Sequence, residues 1–252
     1  MKIIKILLIS GCLLNACESK KPLKEMTNQE KQEQKKTDLA KLSLEIENPV
    51  KIGKSDYIIF PLRASLMLSR DRALYSSVYE KGNAFTPLWN MIFFNKKTGE
   101  QRLLLENEEV IIMEYKSTLI KGFEGELKDT INNFIQNLIF YEMKVKDYNQ
   151  DKKLNLLDPS YLYISDNIGK NLRRLSPPNH HLIAWYLPWG DNHLIIKTLR
   201  DNNGDKLFDT NDKDFTYYLI DILNPKNYQE IMGDKFKTQL KNLYLDRKNM
   251  ND

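Results

Sequence analysis

Apolar residues along this chain come in short runs, and most of the runs have strand character. "DYIIFPL" (56–62), "NMIFF" (90–94), "LIFYEMKV" (138–145), "YLYIS" (161–165), "LIAWYL" (182–187), "HLIIKTL" (193–199) and "FTYYLID" (215–221) combine β-branched and aromatic residues between Gly, Asn and Asp punctuation. The pattern predicts a mainly β fold. Helical spacing is confined to "GELKDTINNFI" (125–135) and the tail "GDKFKTQLKNLYLDRK" (233–248). In the tail, Phe236, Leu240 and Leu243 recur at steps of four and three, which predicts a C-terminal helix lying on the body.

A hairpin repeats three times: "MIFFNKKTGEQRLLL", "YLYISDNIGKNLRRLS" and "YYLIDILNPKNYQEIM". Each copy is an aromatic-rich strand, then Asn95, Asp166 or Asp221, a turn, and a second strand. Gly99 and Gly169 suit turns that need positive φ, and Asn224-Pro225 marks the third turn. The last two copies are each preceded by a polar loop, "DYNQDKKLNLLD" (147–158) and "DNNGDKLFDTND" (201–212), and the loops superimpose at a step of 54 residues. A period near 50 built of short strands is the spacing of propeller blades. The expected architecture is a propeller-like repeat of about three to four antiparallel blades with a C-terminal helix, residues 45–80 being available for a fourth unit.

The two loops carry the candidate chemistry. Oxygen side chains stand at positions 1, 3, 5, 9 and 12 in both: Asp147, Asn149, Asp151, Asn155 and Asp158, then Asp201, Asn203, Asp205, Asp209 and Asp212. Position 7 offers a main-chain carbonyl, Lys153 or Leu207, and position 8 is apolar, Leu154 or Phe208. Calcium takes six to eight oxygens, and a twelve-residue loop of this composition can wrap them round one point. The pattern resembles the EF-hand and dockerin-type loop, which implies Ca2+ at both sites. It departs from it in two ways: position 6 is Lys152 and Lys206 where the family has Gly, and position 12 is Asp. Strand flanks point to weak structural sites, of order 10⁻⁴–10⁻³ M as in extracellular modules. Turn-forming Asx chemistry alone would also place Asn and Asp here.

The N-terminus adds an address. Lys2 and Lys5 precede an apolar run, Ile6–Leu14, too short to span a bilayer but suited to a secretory leader. Leu14-Asn15-Ala16-Cys17 resembles a bacterial lipobox, which implies a signal peptide over 1–16 and lipidation of Cys17; Ile9-Ser10-Gly11-Cys12 also fits but would leave a stunted leader. Cys12 and Cys17 are the two cysteines of the chain, so the remainder has no disulfide, thiol nucleophile or Cys-ligated zinc. Residues 17–44, rich in Lys, Gln and Glu, read as a tether, and 45–252 as one domain. Loss of Lys2 and Lys5 would take the formal charge of +4 to +2, and the basic residues are scattered, which argues against nucleic acid.

The strand-turn-strand "LYISDNIGKNLRRLSP" resembles the repeat of TolB-like propellers, and 138–232 resembles EF-hand-bearing lipoproteins of Gram-negative envelopes. The resemblance implies a lipid-anchored envelope protein, at the outer membrane in preference to the inner, with two calcium loops and a binding or scaffold role toward another envelope protein or a glycan. No enzyme signature is present: there is no G-x-S-x-G, H-E-x-x-H, Walker or G-x-G-x-x-G motif. A glycan-directed hydrolase using two carboxylates is the alternative, and an uptake-complex subunit docking through the tail helix is a third. His180 and His181 in tandem would point to opposite faces of a strand and so not readily share an ion; a zinc site would need His193 with a carboxylate such as Asp191, and solvated loop histidines are the plainer reading. Trp185 and Trp189, in "WYLPWGDNH", are candidates for ligand contact, with core packing as the competing role.

Overall fold

The computed structural model describes residues 27–29, 31–33, 36, 44–53, 55–63, 87–117, 137–187, 192–209, 211–212 and 215–249. The chain divides into two compact units, Met1–Ser43 and Leu44–Asp252. In the first, described residues between 28 and 36 are helical. The expected leader, Cys17, the helix over 125–135 and Trp189 lie outside the described residues.

The described residues of the second unit form twelve antiparallel strands and one helix: β1 (Val50–Lys51), β2 (Tyr57–Arg63), β3 (Leu88–Asn95), β4 (Gln101–Leu103), β5 (Ile111–Ser117), β6 (Leu138–Lys144), β7 (Tyr161–Asp166), β8 (Arg173–Arg174), β9 (His180–Tyr186), β10 (His193–Arg200), β11 (Phe215–Asp221), β12 (Tyr228–Glu230) and α1 (Asp234–Asn249). Strands β1–β8 form one sheet and β9–β12 a second. The larger sheet is two meanders joined by a single residue pair, Leu88 with Ile112. Three four-stranded meanders, β1–β4, β5–β8 and β9–β12, therefore follow one another along the chain. The strand order of the described residues closes into neither a barrel nor a propeller.

Alternation of side chains decides how the meanders stack. In β6, Ile139, Tyr141 and Met143 join one core with Ile52, Ile59, Met91 and Phe93 of the first meander. Leu138 and Phe140, on the other face of β6, join a second core with Leu182, Leu194, Ile196, Tyr218 and Ile220 of the third. The middle meander is thus buried on both faces, which is why "LIFYEMK" reads as a continuous apolar run. Strand β5 escaped periodicity because Ile111, Ile112 and Met113 are all buried and the register shifts between Ile112 and Glu114.

The tail helix forms as expected, with Asp234 in its first turn and Arg247 and Lys248 in its last, matching the helix dipole. It does not bury its stripe on the body. Phe236, Leu240 and Leu243 are 49, 43 and 50% exposed. Spacing marked an amphipathic helix correctly, but it carries no information on what covers the apolar face.

Candidate functional site

Both polar loops link the second and third strands of a meander: 147–158 joins β6 to β7, and 201–212 joins β10 to β11. They fold alike. The position-1 carboxylate accepts the main-chain N–H of position 6, Lys152 to Asp147 at 2.8 Å and Lys206 to Asp201 at 3.1 Å. Position 3 accepts from position 5, Asp151 to Asn149 and Asp205 to Asn203, each at 3.0 Å. Position 5 accepts from position 7, Lys153 to Asp151 and Leu207 to Asp205, each at 2.9 Å. Position 9 accepts from position 11, Leu157 to Asn155 at 2.8 Å and Asn211 to Asp209 at 2.7 Å. At positions 3, 5 and 9 these are chained Asx turns, each side-chain oxygen held by a main-chain N–H two residues on.

Positions 4 and 6 of each loop are left-handed. Position 4 has φ +64° at Gln150 and +75° at Gly204, and position 6 has +68° at Lys152 and +65° at Lys206. The Lys residues occupy the conformation a glycine would hold without strain. The loop geometry over-determines them, through the N–H of each Lys held by the position-1 carboxylate.

Position 12 has a structural part in each loop. Asp158 and Asp212 are 1% and 3% exposed. Each staples its loop through both oxygens, to the N–H groups of Tyr148 (2.7 Å) and Asn155 (2.9 Å), or of Asn202 (2.9 Å) and Asp209 (3.4 Å). Burial pushes the Asp158 carboxyl above its ordinary range, and N–H donors from Asn155, Tyr148 and Asn149 pull the other way. These two acids close the loops, with only remaining lone pairs to offer an ion. Among the described residues, no group of three or more His, Cys, Asp and Glu side chains is gathered as a metal centre. The oxygens of each loop come instead from a mixture of Asp, Asn and main chain.

One atom fits a cation directly. Asp147 Oδ1, at position 1 of the first loop, is buried and has no hydrogen-bond partner. A buried carboxylate oxygen without a donor is costly unless a cation or a proton meets it. Asp147, Asn149, Asp151, Asn155 and the Lys153 carbonyl are the groups that could hold one; their counterparts are Asp201, Asn203, Asp205, Asp209 and the Leu207 carbonyl.

The loops also touch each other. The Tyr148 ring lies 5.2 Å from that of Phe208, tilted by 43°, and its hydroxyl donates to Asp201 at 3.4 Å. Lys206 donates to the Gln150 side chain. Lys144 is buried behind the first loop, donates to the Asp158 carbonyl, and is pushed down to about 8 by burial, against Glu142 and Asp158.

The histidines depart from expectation. His180 and His181 do face opposite ways, but both lie in β9 and not in a loop. His180 meets Thr198 at 2.9 Å and the Tyr218 ring. His181 packs on Phe208, and its Nδ1 accepts the Ser160 N–H at 3.0 Å. Burial first, and then Lys144, holds His181 down to about 3; burial and Arg200 hold His180 down to about 4. Trp185 stacks at 4.8 Å on Phe140 against the second core, with the Lys116 ammonium 5.4 Å from its ring. The acid pair away from the loops is Glu114 facing Glu142 across β5 and β6. Burial raises the Glu142 carboxyl, opposed by Ser160, Lys144 and Lys116.

No protein-family model, curated protein or solved structure matches this chain.

Proposed function

We propose that the chain is an exported lipoprotein of the cell envelope, anchored through Cys17, whose three meanders are propeller-like blades and whose two loops each take a weak structural Ca2+. Its role in this reading is binding or scaffolding, toward another envelope protein or a glycan. The observation that carries it is the shared conformation of the two loops, position by position, at the same place in a repeat, with the buried Asp147 Oδ1 at the first ligand position. Calcium would neutralise the loop acids and pin the edges of two adjacent meanders to each other. The hydrolase reading rests on the Glu114 and Glu142 pair, but lysines flank those acids and Ser160 hydrogen-bonds Glu142, so they favour a satisfied ion-pair cluster, partly exposed at Glu114.

Thermal unfolding of the 44–252 unit in EDTA, and then with millimolar Ca2+ or Mg2+, tests the reading. An ion bound only to the folded state stabilises by RT ln(1 + [L]/Kd), about 1–2 kcal/mol per loop at a few times to tens of times Kd. A calcium-specific rise that Asp147→Ala with Asp201→Ala abolishes is expected. Equal melting in EDTA and Ca2+ would mean that the loops are turns alone. Mass analysis of the mature N-terminus, with Cys17→Ala as control, tests the anchor.

A further inference from the structure

Consecutive meanders lock together through one contact made twice. Across β3 and β4, Phe93 faces Arg102; across β7 and β8, Ile164 faces Arg173; across β11 and β12, Leu219 faces Gln229. In the first two cases the next meander's hairpin turn sits on this pair. Arg102 donates to the Ile168 carbonyl, and Gly169 lies so close to the Phe93 ring that a Cβ would not fit. Arg173 donates to the Ile222 carbonyl at 3.2 Å, and Ile222 packs in one core with Ile164. An apolar floor plus a side-chain N–H donor forms the socket, and a turn carbonyl fills it.

The third meander has the socket, and among the described residues no further meander sits on it. Leu219 and Gln229 line a cavity of about 200 Å³ together with His193, Asp221, Asn227 and Tyr228. That is smaller than the roughly 300–1,000 Å³ of sites for small organic ligands, and it suits the tip of a turn. The rest of this face is aromatic, with one charge lying over it: Phe215 is 41% exposed, Tyr186 is 55% exposed, Tyr217 is half-buried, and the Lys197 ammonium sits 4.1 Å over the Phe215 ring and 5.7 Å from that of Tyr217. At the opposite end of the array, the hairpin turn of the first meander, 96–100, is exposed, and Ile58, Phe60, Ile92 and Phe94 lie half-buried on the adjoining face. Lys96 and Lys97 of that turn are opposite in sign to Asp221 in the socket. Lys97 is 71% exposed and pairs at 2.8 Å with Asp56, a surface pair of little net worth and readily exchanged.

We propose that the outer face of the third meander docks the first meander of a second copy, the 96–100 turn entering the Leu219–Gln229 socket and so continuing the internal stack from chain to chain. The Gln229 amide supplies the donor that Arg102 and Arg173 supply inside the chain. Such a contact is head-to-tail, so it builds short arrays or rings and not a two-fold dimer.

Sedimentation velocity of the 44–252 unit, from micromolar to submillimolar concentration, tests this. The parent is expected to shift reversibly to larger species. Leu219→Glu, which spoils the socket, and Lys97→Glu, which spoils the turn, should each sediment as monomers with the circular dichroism of the parent. Mixing the two variants should restore a dimer and nothing larger, since one retains the turn and the other the socket. A parent that stays monomeric throughout, or a mixture that forms no dimer, overturns the proposal. So does a Lys97→Glu variant that associates like the parent, which would assign any self-association to another surface.

Discussion

Single residues show where this fold is over-determined and where it is tolerant. Gly169 and Gly204 both have φ above +70°. An alanine at Gly204 would meet nothing within 4 Å, whereas at Gly169 its Cβ would collide with the Phe93 ring and Arg102. Gly204→Ala is therefore expected to cost about 1 kcal/mol from backbone strain alone. Gly169→Ala should cost roughly 2–4 kcal/mol, because overpacking at the meander interface adds to the same strain. Denaturant titration of both variants checks the difference; equal costs would show that the Gly169 turn moves aside. The glycine in "DNIG" was legible as a turn residue. Its second duty, close approach to another meander, was not, because Phe93 is 76 residues away in sequence.

At the scale of the element, the loops were the part most legible in advance. Their ligand-type residues repeat at fixed positions, and local side-chain bonds to main-chain N–H groups coil them with little help from the rest of the molecule. The lysines at position 6 are the exception to the pattern, and the structure places both in the left-handed region. Lys152→Gly and Lys206→Gly are thus expected to relieve about 1 kcal/mol of strain each. If the proposed ion-bound loop keeps this conformation, the relief is the same with and without calcium, so denaturant titration should show the gain in stability while isothermal titration finds the affinity unchanged. Unchanged stability would mean that the lysine side chains contribute contacts equal to the strain. The tail helix teaches the opposite lesson. Its existence followed from spacing, but its exposed Phe236, Leu240 and Leu243 did not, because periodicity records a face and not a neighbour.

For the whole molecule, pH is a probe of how the meanders are joined. His181 sits where the second and third meanders meet, its Nδ1 accepting the Ser160 N–H. Its folded value of about 3 lies below the ordinary 6.5. The unfolded chain therefore binds the extra proton first, and stability present above 6.5 is lost as pH falls below it. The His181 contribution should amount to about 2 kcal/mol by pH 5, with a smaller one from the half-buried His180. His181→Asn keeps an acceptor for Ser160 and removes the titration, so its melting temperature should fall less between about pH 7 and pH 5. Parallel slopes for parent and variant would sink this account.

Strand content, the thrice-repeated hairpin, the paired loops and the tail helix all came from patterns within about a dozen residues, because local conformation and side-chain alternation are set at that range. The sequence by itself also supplied the lipobox-like Cys17 and the ligand-type residues of the loops. Tertiary structure alone decided the rest. It sorted the described strands into three stacked meanders, made Asp158 and Asp212 staples of their loops, drew His180 and His181 out of solvent, laid Trp185 on Phe140, and brought the two loops into contact through Tyr148 and Phe208. The physical reason is common to these cases. A residue's role depends on which groups share its desolvated surroundings, and those groups arrive from meanders separated by tens of residues along the chain.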